Sequence, residues 1–97
     1  MSITLTPAKK RDYKFTAIIN GKEVNFGREP FEDFTDHKDE ERKRLYLARH
    51  KPRENWTKAG LLTPGFWARW LLWNKPSIKE SVDDIEDRFN LKIVKRR

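Results

Sequence analysis

The chain has 97 residues, with 22 Lys plus Arg against 15 Asp plus Glu, and it contains no cysteine. That length allows one small domain, and the missing thiols exclude disulfide staples, Cys-ligated zinc and thiol chemistry. Aromatics form 12% of the chain, including four Trp and six Phe, which a disordered polycation would lack, while the net charge of +7 points toward anionic partners.

Residues 1–12 are expected to form an N-terminal arm. They show no basic end followed by an apolar run, so no signal peptide is expected. From Tyr13 to Gly27 the pattern is that of a strand pair: Tyr13, Phe15, Ala17 and Ile19 alternate with Lys14, Thr16 and Ile18. Asn20-Gly21 tolerates the positive φ angles of a type I′ turn. A two-residue loop there pairs Ile19 with Lys22, Ala17 with Val24 and Phe15 with Phe26. That register places the apolar partners, Ile18 apart, on one face.

Residues 36–90 read as the helical part. A helix is expected from about Asp36, capped by that residue, to Pro52, with acids Asp39, Glu40 and Glu41 leading and bases Arg42, Lys43, Arg44, Arg49 and Lys51 following. The order suits the helix dipole, and Asp39–Lys43 and Glu40–Arg44 are i,i+4 pairs. Its buried face is predicted to hold Leu45 and Ala48, with Tyr46 beside it. After a loop containing Trp56, the segment Phe66-Trp-Ala-Arg-Trp-Leu-Leu-Trp73 predicts a short helix, apolar nearly all round. It is too short to span a membrane and includes Arg69. Ser77 and Glu80 fit a capping box. Ile78, Val82, Ile85 and Phe89 follow at helical spacing, and Asn90 suits the C′ position. Residues 91–97 are a basic strand or tail.

The fold class is therefore α+β: an N-terminal β-hairpin packed on about three helices, with a short C-terminal strand as the alternative to a tail. The predicted core is Phe15, Ala17, Val24, Phe26, Leu45, Ala48, Phe66, Trp70, Trp73, Ile78, Val82, Ile85 and Phe89.

Catalytic patterns are thin. His37 and His50 lie thirteen residues apart without a ligand-spaced partner. The glycines form no phosphate-cradling motif, and the acids of the last helix point to different sides. No enzyme activity, cofactor or metal is expected. Charge is more informative: residues 32–41 sum to −5, residues 42–58 to +6 and residues 92–97 to +4. The middle runs nearly cancel along one helix. Arg49, Lys51 and Arg53, together with the tail residues Lys95, Arg96 and Arg97, have no local acids and form the candidate binding surface. Trp67 and Trp56 join them, because a small domain does not easily cover every side of the Trp-rich helix and Trp is a favoured interface anchor.

Three stretches carry a resemblance. They are Asp33-Phe-Thr-Asp-His-Lys-Asp-Glu-Glu-Arg-Lys-Arg-Leu-Tyr-Leu-Ala-Arg-His-Lys51, Glu54-Asn-Trp-Thr57, and Gly65-Phe-Trp-Ala-Arg-Trp-Leu-Leu-Trp-Asn-Lys-Pro76. Over residues 13–90 the chain resembles small basic proteins of unknown function encoded by large nucleocytoplasmic DNA viruses, including algal and giant viruses. Leu45 stands where that pattern has Arg. The resemblance implies a viral setting, in the virion or in host-cytoplasm virus factories, and supplies no catalytic residues. The expected function is a non-enzymatic structural virion protein, a minor capsid or cement component bridging larger proteins such as a major capsid protein through Trp-rich and basic surfaces. The alternative is a viral DNA-binding or DNA-packaging protein that sets its basic patch and tail on phosphates.

Overall fold

A computed structural model describes Ser2 to Arg96. Within it run β1 (Ser2–Pro7), β2 (Tyr13–Ile19), β3 (Lys22–Arg28), α1 (Phe34–His37), α2 (Glu40–His50), α3 (Pro64–Trp67), α4 (Ile78–Phe89) and β4 (Lys92–Lys95). Single 3₁₀ turns at Lys51–Arg53 and Lys58–Gly60 join α2 to α3. The α+β class is as expected, a mostly antiparallel sheet packed against helices.

The β2–β3 hairpin forms in the expected register, with Ile19 opposite Lys22, Ala17 opposite Val24 and Phe15 opposite Phe26. Asn20 and Gly21 take φ values of 51° and 81°, the left-handed pair that matches the twist of the flanking strands. The segment before it is no free arm. Ile3 and Leu5 alternate with Thr4 and Thr6, and this short period-two run pairs antiparallel with β2, Ile3 against Ile19 and Leu5 against Ala17. β4 joins the other side of β1 in parallel, with Ile93 opposite Ile3, so the C-terminal segment is a strand. The order is β3-β2-β1-β4. Ile3, Leu5, Ala17, Ile19, Val24, Phe26 and Ile93 are buried in one cluster with the helices.

The acid-then-base segment divides where one helix is expected. Asp33, not Asp36, starts α1, accepting from Thr35 N–H, while Asp36 closes the capping box by accepting from Asp33 N–H. Lys38 then enters the left-handed region at φ 56°, which ends the helix. Asp39 begins the next, its carboxylate accepting from the N–H groups of Glu41 and Arg42. The expected Asp39–Lys43 and Glu40–Arg44 pairs are replaced: Arg44 pairs with Glu41, one residue closer, and Lys43 donates to the carbonyl of Asn74 at 2.7 Å.

The buried face of α2 is also turned by one residue, about 100°. Leu45 and Ala48 are exposed, whereas Tyr46 is buried. The ring of Tyr46 stacks between Trp73 and His50, with centroids 4.2 Å away on each side. A flat aromatic offers more contact to those rings than Leu or Ala could.

The Trp-rich segment supplies the centre of the molecule. α3, with Pro64 in its first turn, runs on into a π-helical stretch, Ala68–Leu72, whose wider ring is closed by the Trp73 N–H on the Ala68 carbonyl. Neighbours meet it on three sides. Trp67 stacks on Phe26 of the sheet, Phe66 and Trp70 meet Phe89 of α4, and Trp73 meets Tyr46 of α2. Phe66, Trp67, Trp70, Leu71 and Leu72 are thus all buried, and Trp73 is partly so. α4 starts at Ser77, which accepts from Glu80 N–H, and stops at Asn90 in the left-handed region, both as expected.

Of the remaining predicted core residues, Phe15, Trp73, Ile78 and Phe89 are partly buried and packed on the cluster, and the others are fully inside.

Candidate binding groove

Between the end of β3 and α2 lies a groove of about 770 Å³, within the size range of ligand clefts. Tyr46, Leu72 and Trp73 line it together with Phe31 and Leu45. Phe31 is 70% exposed and Leu45 46% exposed. Phe31 comes from the β3–α1 connector after Pro30, and Leu45 from the middle of α2, so two unburied apolar side chains from separate elements border one cleft.

Charge is arranged unevenly around it. Asp33 receives Lys14 Nζ at 2.6 Å, Glu32 meets Arg42 at 3.5 Å, and Glu54 Oε2 lies 3.0 Å from His50 Nδ1. Each lining carboxylate therefore has a partner. Arg28 and Arg49 also line the groove, and neither forms an ion pair with a described carboxylate. Arg28 rests 5.6 Å from the Tyr13 ring centroid instead.

Two clusters hold these walls. Burial disfavours the Lys14 ammonium, but hydrogen bonds and charge from Asp33 and Asp36 outweigh it and raise its pKa above the ordinary value. The same cluster lowers the Asp36 carboxyl, first through the Asp33 backbone N–H and then through Lys14. At the other end, Glu54 Oε1 accepts from the Trp56 indole N–H at 2.8 Å. Gly65 packs against that carboxylate so closely that a Cβ there would come within 2.7 Å of Glu54 Cδ. Burial also pushes the Tyr46 phenol well above its usual range, so it stays protonated.

The residues singled out from sequence do not form one surface. Trp67 is wholly buried, its indole donating to the Leu61 carbonyl at 2.8 Å, which removes it as an interface anchor. Trp56 is half-buried. Its carbonyl accepts from the Trp70 indole, and Arg69 lies over both rings, 5.4 Å from Trp56 and 4.2 Å from Trp70. Arg88 adds a further cation at 4.5 Å from Trp70. This Trp–Arg stack holds the 54–57 loop against the Trp-rich helix. Burial and the nearby Arg88 lower the pKa of Arg69.

Arg49, Lys51 and Arg53 are exposed, and only Arg49 of the three lines the groove. Lys95 and Arg96 are exposed at the end of β4, the opposite sheet edge from β3. Three strand spacings, roughly 14 Å, separate those edges. Arg97 lies outside the described residues. Sequence reasoning missed Phe31 and Arg28, and placed Leu45 inside. The available signal was an aromatic following Pro30 in a polar connector.

Among the described residues no group of three or more His, Asp or Glu could hold a metal ion, and no helix is long and apolar enough to cross a membrane. Residues 3–50, from β1 through α2, match the model of a family of unknown function (DUF5754). The matched span contains Arg28, Phe31, Leu45, Tyr46 and Arg49 of the groove. No curated protein and no solved structure matches the chain.

Proposed function

We propose that this chain is a non-enzymatic structural protein of a large nucleocytoplasmic DNA virus particle, a minor capsid or cement component that bridges larger proteins. The observation that carries the binding part is the groove, where Phe31 and Leu45 stay in water beside Arg28 and Arg49, which pair with no described carboxylate. Apolar side chains clustered at a cleft and rimmed by charge are characteristic of protein contact sites. The viral part is supported by the resemblance of the 33–51, 54–57 and 65–76 segments.

Fractionation of purified particles tests it. The chain should remain with the shell when the genome is released, and lysine cross-linking should join Lys51 or Lys95 to a larger shell protein. Absence from particles would remove the reading. Release with the genome, together with DNA affinity that falls steeply as salt rises, would favour the DNA-packaging alternative.

A further inference from the structure

We infer that the groove between β3 and α2 receives a short acidic segment of a partner protein, with an apolar side chain seated between Phe31 and Leu45 and flanking carboxylates on Arg28 and Arg49. The inference rests on the bridging role proposed above and specifies the chemistry of what is bridged.

Shape and charge agree on this occupant. The Tyr46–Trp73 stack, two rings 3° from parallel, lines the groove as an apolar wall. A side chain laid on it buries apolar area that Phe31 and Leu45 now leave in water. Glu32, Asp33 and Glu54 are each held by a cation or histidine already, so the charge left unanswered at the rim is positive. A neutral apolar guest would leave Arg28 and Arg49 without a counter-ion. A guest carrying carboxylates answers both.

A nucleic acid fits less well. Single-strand binding uses a row of free aromatic faces, whereas here the Tyr46 ring is sandwiched between Trp73 and His50. Arg28, Arg49 and Leu45 are exposed, so changing them tests binding without emptying the core.

The experiment is selection from a random heptapeptide phage library on the immobilised full chain, with the enriched peptides then synthesised and titrated. Enriched sequences should combine Leu, Ile, Phe or Trp with Asp or Glu. Leu45→Asp should abolish capture, and Arg28→Glu and Arg49→Glu should each weaken it by about tenfold, with thermal unfolding of all three variants unchanged. No enrichment overturns the inference. So do enriched peptides without acids, and so does equal capture by the variants. Displacement of the peptides by a single-stranded DNA oligonucleotide, lost in the same variants, would reassign the groove to nucleic acid. Absence of the chain from particles would leave peptide capture standing, whereas unchanged capture by Leu45→Asp would leave particle location standing. The two readings therefore fail separately.

Discussion

The ring of Tyr46 lies on the ring of Trp73, centroids 4.2 Å apart and planes 3° from parallel. This contact ties α2 to the Trp-rich helix and sets which side of α2 is buried. Tyr46→Ala should cost about 3–5 kcal/mol, the range for emptying a large aromatic site. A double-mutant cycle with Tyr46→Leu and Trp73→Leu should return a coupling of about 0.5–1.5 kcal/mol. Strict additivity in urea unfolding would show that the stack contributes nothing beyond area.

Leu45 provides the contrasting case one residue earlier. Being 46% exposed, it should tolerate replacement: Leu45→Ala is expected to change stability by no more than about 0.5 kcal/mol. A loss comparable with Tyr46→Ala would return Leu45 to the core and close the groove.

Trp67 is fully buried with its indole hydrogen-bonded to Leu61. Trp67→Ala should lower stability by about 3–5 kcal/mol, and Trp67→Phe should keep most of the packing while stranding the Leu61 carbonyl, at about 1–3 kcal/mol. An unchanged melting temperature in Trp67→Ala would restore it as a surface anchor.

Gly65→Ala sets a new methyl against the Glu54 carboxylate. That carboxylate also holds His50 and the Trp56 indole, so it has little room to move. The substitution should destabilise by about 1–3 kcal/mol, the usual range for overpacking. Glu54→Ala in the same background should recover part of that loss. No recovery would mean the methyl clashes elsewhere.

Acid should weaken the fold through Asp36 and Asp84. At Asp84 burial would raise the carboxyl, but hydrogen bonds from Arg88 and Asn74 prevail and lower it below its ordinary 3.8. At Asp36 the Asp33 N–H and Lys14 lower it similarly. A carboxyl whose folded pKa is depressed contributes stability that is fully present above the ordinary value and drains as pH falls through the folded one. Lys14, raised from 10.5, contributes in the opposite sense: its share is present below that value and lost at higher pH. Urea midpoints measured from pH 5 down to 2 should fall less steeply in Asp84→Asn than in the parent chain. Equal slopes would show that Asp84 titrates alike folded and unfolded.

The +7 charge and the Trp-rich segment were the two prominent features of the composition. Tertiary structure redistributes both: Lys95 and Arg96 lie at the β4 edge of the sheet while Arg49 lines the groove on α2, and of the two Trp residues nominated as anchors Trp67 is sealed inside. Phe31, which no periodic pattern singles out, becomes the most exposed of the described large apolar residues.

What could be read from sequence was local. The hairpin register followed from Asn20-Gly21 and strict alternation, and both ends of α4 followed from Ser77 and Asn90, because turn and cap chemistry acts within four residues. Pairing of β1 and β4 was beyond it, since two short strands from opposite ends of the chain meet only through the sheet. The buried side of α2 was likewise decided at a distance. Leu45, Tyr46 and Ala48 are all compatible with a helix interior face, and only the position of Trp73, twenty-seven residues away, selects Tyr46. That choice leaves Leu45 outside and opens the groove. Local propensity set which segments would be helix or strand. Aromatic packing between distant segments set which surfaces they keep for partners.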